Sequence, residues 1–269
     1  QKTRYVHQKT EWIPTMALAQ NTDGVKINYE IVGDGPPLVL QHGLLSDLNT
    51  WKTRGYVEAL QDSFQLILID SRGHGQSDKP DNPAAYELRT RVTDIAAVLN
   101  ELDIKQAHYM GYSMGGWMGY GITIYMPQRF KSLVIGGFGP FRVMPTSEPM
   151  SKAELEQRWK DSKARWAASE DPNRTRLLEE YPEIMKHCRD ALDTWRGARQ
   201  ALKLSSLPLL MFSGTEEPNS SPIDMPEVLK FRPDAEFFSV QDANHIEAIE
   251  AVDVVAPRVK EFLQRAENK

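Results

Sequence analysis

The chain has 269 residues, 41% hydrophobic and 26% charged, the balance of an ordinary globular protein with ample material for a core. Its formal charge of -5 excludes the basic footprint of a nucleic-acid or anionic-membrane binder. A single cysteine, Cys188, excludes an intrachain disulfide and a multi-cysteine zinc site, and no apolar run approaches the roughly 20 residues of a membrane span. The expectation is a cytoplasmic protein that needs neither metal nor cofactor.

Residues 1–15 carry charges throughout and lack the apolar centre of a signal peptide. They are read as a cloning-derived or extension arm, and His7 within them is set aside. From Gly24 onward short apolar runs alternate with helical patterns. Val25 to Val32 alternates in the strand manner, with Val25, Ile27, Tyr29 and Ile31 on one face. Leu38-Val39-Leu40 and Leu66-Ile67-Leu68-Ile69 are unbroken apolar runs that suit parallel strands covered on both faces. Between them Trp51, Val57 and Leu60 fit one side of a helix. Val92, Ile95, Ala96, Leu99 and Leu102 mark an amphipathic helix. A strand at Ala107 to Gly111, a small-residue helix from Met114 and a strand at Ser132 to Ile135 follow. Such alternation specifies a doubly wound, mostly parallel α/β sheet, whose functional groups sit on loops at the carboxyl ends of strands.

The alternation stops between Pro140 and Leu204. Three helix starts are expected there: Ser151 with Glu154 at capping-box spacing, Asp171-Pro172, and Tyr181-Pro182. The alternation resumes with a strand at Leu207 to Phe212, a helix near Met225 to Lys230, a strand at Ala235 to Val240, and a terminal helix through Val255, Val259 and Phe262. The organisation is therefore an α/β core of residues 16–139 and 205–269, interrupted by a helical cap at 140–204.

Gly111-Tyr112-Ser113-Met114-Gly115 fits G-x-S-x-G. Chance alone produces this triplet in roughly one chain of this length in ten, so its weight comes from lying between a strand and a helix. A sharp turn there exposes the serine hydroxyl, which needs a base to become a nucleophile. Of the six histidines, His245 lies just past the last strand, at the edge where Ser113 emerges. The orienting carboxylate should lie between them in the chain, and Glu216 and Glu217 both follow the strand ending at Phe212. Asp242 is read as shaping the histidine loop. Gly43, in Gln41-His42-Gly43-Leu44-Leu45, would let the backbone approach the reaction centre, where the amides of Leu44 and Met114 form an oxyanion hole. His42 is read as structural. Asp70 to Ser77 (DSRGHGQS) is a charged loop and no phosphate cradle, since no Walker lysine follows. The aromatics Phe141, Trp159, Trp166 and Trp195 either line a pocket or pack the cap on the core.

Four segments in this order resemble the α/β-hydrolase superfamily: the HG of Gln41 to Leu45, D-x-R-G-x-G-x-S at Asp70 to Ser77, GYSMGG at Gly111 to Gly116, and the terminal histidine loop. The resemblance covers roughly residues 24 to 266, with the cap between the sixth and seventh strands. It implies that Glu217, three residues after Gly214, is the triad acid, although the family's usual residue is aspartate, and Pro218 would restrict its backbone. Asn244 also stands where glycine is common. Ser113 argues against dehalogenase-like and epoxide-hydrolase-like members, which use aspartate, and Ile246 argues against carbon–carbon hydrolases, which carry tryptophan after the histidine. The resemblance therefore implies a carboxylesterase-like serine hydrolase acting on a small-molecule ester. The alternatives are a lactonase or carbon–carbon hydrolase on the same triad, or a receptor-like protein with little turnover.

Overall fold

A computed structural model describes residues 17–141, 150–168, 171–217 and 224–268. The extension at 1–15 and Pro218 lie outside the described residues. Eight strands form one sheet: β1 (Ala17–Gln20), β2 (Lys26–Val32), β3 (Pro37–Gln41), β4 (Gln65–Ile69), β5 (Ala107–Tyr112), β6 (Phe130–Gly136), β7 (Leu209–Gly214) and β8 (Glu236–Val240). Their order is β1-β2-β4-β3-β5-β6-β7-β8. Pairing is antiparallel from β1 to β2 and from β2 to β4, and parallel from β4 to β8.

The unbroken apolar runs are explained by helices on both faces. Val39, Ile67, Tyr109, Ile135 and Met211 project into one hydrophobic cluster. Their chain neighbours Leu40, Leu68, Met110, Val134 and Phe212 project into another. The first face is covered by α3 (Leu88–Glu101) and α4 (Met114–Tyr125). On the second face lie α1 (Asn49–Thr53) and α2 (Tyr56–Leu60). Gly55 separates these two at φ 84°, so the single helix expected through Trp51 and Leu60 is in fact two short ones.

Between β6 and β7 the chain is helical: α5 (Lys152–Ala167), α6 (Pro172–Glu180), α7 (Pro182–Asp193) and α8 (Arg199–Leu204). Ser151 and Glu154 form a reciprocal capping box on α5, and Asp171 caps α6. This insertion docks through Trp159, Leu177, Met185 and Cys188, which pack with Leu45 and Tyr86 of the core. After β7 come α9 (Met225–Leu229), α10 (His245–Glu250) and α11 (Val252–Glu267), the last returning to the second face of the sheet. No described helix is long and apolar enough to cross a membrane.

The strand order reverses between β3 and β5, which run parallel as neighbours although β4 lies between them in sequence. That switch opens a crevice at their carboxyl ends. The loop Gln41–Leu45 leaves β3 there, and Ser113 leaves β5 beside it.

Candidate active site

Ser113 sits between β5 and α4 with φ 55° and ψ -113°, a backbone conformation that costs a non-glycine residue about 1–3 kcal/mol. The turn is forced by crowding on either side. A Cβ at Gly111 would lie 2.3 Å from the Gly115 carbonyl oxygen, and one at Gly115 would lie 2.1 Å from that of Gln41. Only glycine lets strand and helix approach this closely. Serine at a helix N-cap ordinarily bonds the helix amides. Here the Ser113 side chain makes no such bond, which leaves Oγ to the cavity.

His245 opens α10. Asn244 accepts hydrogen bonds from the amides of Ile246 (2.9 Å) and Glu247 (3.2 Å), while Glu247 accepts one from the Asn244 amide (2.9 Å). Asparagine at the position where glycine is common therefore fixes the helix start. His245 Nδ1 donates to Glu217, whose Oε1 and Oε2 lie 2.9 and 2.8 Å away. Glu217 is largely buried, whereas Glu216 is exposed. The Tyr112 hydroxyl donates to the His245 carbonyl at 2.6 Å, tying the strand that carries Ser113 to the helix that carries the histidine. Asp242 has φ 52° and donates its amide to Thr215 Oγ1, joining the glutamate and histidine loops.

The third wall is the loop after β3. A Cβ on Gly43 would lie 3.3 Å from Ser113 Cβ and 3.8 Å from its Oγ. Two buried rings hold this loop. His42 Nδ1 donates to the Gly43 carbonyl at 2.7 Å, and its Nε2 accepts from the Ser71 amide at 3.0 Å. His74 Nε2 accepts from the Leu45 amide at 3.2 Å. Burial pushes both imidazoles below their ordinary pKa, more strongly for His74, where His42 and Arg91 add repulsion. Both acceptor roles require the neutral rings. The amides of Leu44 and Met114 meet no protein acceptor among the described residues. Met114 has none within its helix because it is the first residue of α4.

The D-x-R-G-x-G-x-S segment braces the site from behind. Asp70 accepts from the amides of Leu48 and Gln76, each at 2.8 Å, and from Asn28 Nδ2 at 2.9 Å. Arg72 forms a fork with Asp94 at 2.7 and 2.6 Å; burial works against its charge, but the hydrogen bonds and negative charge of Asp94 and Asp23 outweigh it and hold the guanidinium pKa above its ordinary value.

Ser113, Gly43, Leu44 and His245 line a cavity of about 320 Å³ whose other wall is the insertion. Among the described residues no His, Cys, Asp and Glu cluster could hold a metal ion. Of the four aromatics read as lining a pocket or packing the cap, Trp166 lines this cavity and the other three pack elsewhere. Trp159 is packed into the cluster that joins the insertion to Leu45 and Tyr86 of the core, Trp195 stacks on Tyr120, and Phe141 meets Phe231 edge-on.

Residues 36–171, just over half of the chain, match the family model for the alpha/beta hydrolase fold. The chain belongs to that family. This hydrolase is 27% identical to 3-oxoadipate enol-lactonase 2 of Acinetobacter baylyi, over 74% of this chain and 79% of the relative. It is also 27% identical to 3-oxoadipate enol-lactonase 1 of the same organism, over 86% and 90%. In fold it resembles a thermophilic esterase from Thermogutta terrifontis, with a TM-score of 0.76 at 21% identity, covering 94% of this chain and 99% of that one.

Sequence reasoning missed a group of arginines that line the hydrolase's cavity beside Trp166. It also missed the reciprocal Asn244–Glu247 cap, which asparagine followed three residues later by glutamate does signal.

Proposed function

We propose that this hydrolase cleaves carboxylic ester bonds through Ser113, His245 and Glu217. The observation that carries the reading is a serine held strained and uncapped in the same cavity as a histidine whose Nδ1 is taken by a largely buried glutamate. With Nδ1–H donated to Glu217, Nε2 is the basic nitrogen. It removes the Ser113 proton as Oγ attacks the ester carbonyl, and Glu217 stabilises the imidazolium without taking the proton. The carbonyl oxygen becomes an oxyanion received by the amides of Leu44 and Met114, the latter at the positive end of α4. The C–O bond then breaks and His245 returns the proton to the departing alkoxide. Water, deprotonated by the same nitrogen, attacks the acyl-enzyme and releases the acid with Ser113 restored.

A lactone is the second substrate form, favoured by the two enol-lactonase relatives. In a lactone the leaving alcohol stays joined to the acyl group by its own carbon chain, so water releases one hydroxy acid from the acyl-enzyme, and the protein's steps are unchanged.

Replacement of Ser113 by alanine tests the reading. Folded Ser113→Ala protein is expected to lose turnover of a short-chain chromogenic ester by several orders of magnitude. Near-normal turnover would refute it.

A further inference from the structure

The cavity that holds Ser113 is lined on the insertion side by Arg158 and Arg165 of α5, Arg174 of α6 and Arg189 of α7. Arg54, just past α1, adds a fifth guanidinium from the core. Among the described residues only two carboxylates share this lining, Asp171 and Asp193. The chain as a whole is acidic, at -5, so the wall opposes the protein's own balance.

The two carboxylates are already engaged. Asp193 is buried and serves two arginines: Oδ1 accepts from Arg158 at 2.8 Å and from Arg189 at 2.9 Å, and Oδ2 accepts from Arg189 at 2.9 Å. Asp171 accepts from the amides of Asn173 and Arg174 at the start of α6. Two guanidinium nitrogens, Arg158 Nε and Arg174 Nε, are buried without a hydrogen-bond partner among the described residues. Burial first, then repulsion from Arg158 and Arg165, holds the Arg189 pKa below its ordinary value, with Asp193 opposing. Crowded, part-desolvated like charges destabilise a fold unless an anion joins them. A carboxylate is the matching anion, since its two oxygens fit the planar donor fork of arginine.

We propose that this arginine wall binds a carboxylate of the substrate, so that the hydrolase takes esters or lactones carrying an anionic group away from the reacting carbonyl. The proposal rests on the reading of Ser113 as nucleophile in the same cavity. Selectivity comes from charge: a neutral chain entering this wall would cover guanidiniums without replacing their water, whereas a carboxylate supplies the missing acceptors.

The test compares two esters with five-carbon acyl groups, mono(4-nitrophenyl) glutarate and 4-nitrophenyl pentanoate, each corrected for its uncatalysed rate. The purified full chain is expected to favour the anionic ester in kcat/KM by at least about tenfold, mainly through KM. In Arg165→Met/Arg174→Met the ratio should fall to near one, and in Arg174→Lys it should lie between, because an ammonium keeps the charge and loses the fork. Calorimetric titration of glutarate into Ser113→Ala protein gives a readout independent of turnover, with saturable binding that the added double substitution removes. A wild-type preference for the neutral ester, together with no saturable glutarate binding, would overturn the proposal. Ser113-dependent turnover in that case would leave the hydrolase reading standing. Arginine-dependent glutarate binding with no turnover of either ester would support the wall and sink the reading of Ser113.

Discussion

His245 Nδ1 faces both carboxylate oxygens of Glu217, at 2.9 and 2.8 Å, with the glutamate largely buried and the imidazole partly open to the cavity. The extra methylene of glutamate relative to the family's usual aspartate thus still reaches the ring. Glu216, one residue earlier, is exposed. Glu217→Gln is expected to lower kcat by roughly three to four orders of magnitude with little change in KM, because the amide neither fixes the tautomer nor stabilises the imidazolium. Glu216→Gln should cost less than about tenfold. Steady-state kinetics of both variants check this, and the reverse ranking would mean that the wrong carboxylate has been assigned.

Trp166 lines the cavity, whereas Trp159 is 6% exposed in the cluster between insertion and core and Trp195 is 5% exposed beside Tyr120. Trp166→Ala is therefore expected to shift acyl-length preference, at a smaller stability cost than at the two buried tryptophans because its ring is only partly buried against Trp159. Trp159→Ala and Trp195→Ala should instead destabilise by about 3–5 kcal/mol, the usual cost of emptying a tryptophan site. Selectivity profiles and denaturant midpoints of the three variants separate the two outcomes. An unaltered profile in Trp166→Ala would remove that residue from substrate selection.

The loop that carries Leu44 depends on neutral imidazoles at His42 and His74. Both have folded pKa values depressed by burial below the ordinary 6.5. As the pH drops through 6.5 the unfolded chain binds protons that the folded chain does not, so stability falls with falling pH in that window. Above about pH 7.5 neither group contributes to the slope. Each such histidine adds up to about 1.4 kcal/mol per pH unit below its unfolded pKa. His74→Gln, which cannot titrate, should be less stable at neutral pH but show a shallower loss between pH 6.5 and 5. Denaturant unfolding across that range checks it, and an unchanged slope in the variant would contradict the assignment.

The parallel sheet was legible because runs such as Leu66 to Ile69 have no polar side, which only double coverage explains. The elbow was legible because its glycines and serine lie within five residues. Other features leave weaker traces. Ala17–Gln20 is a short strand with one buried side chain, too little for periodicity to register. The helix α8 likewise buries only Leu202. Asn28 and Glu30 look like the solvent face of β2, yet both are buried, Asn28 on Asp70 and Glu30 on Lys52. Trp159 and Trp166, seven residues apart on α5, share a helix face and meet edge-on, yet only Trp166 reaches the cavity. The arginine wall was hidden for a related reason. Charged residues on three separate helices read as solvated surfaces until tertiary packing turns them toward one cavity.

The most direct measurement of the central claim is active-site labelling with diisopropyl fluorophosphate, followed by intact-mass and peptide-level spectrometry. Esterase turnover is expected to fall in step with the appearance of one diisopropylphosphoryl adduct per chain. That adduct should map to Ser113, and Ser113→Ala should take up none under the same conditions. Full turnover after complete labelling, or an inactivating adduct on another residue, would contradict it.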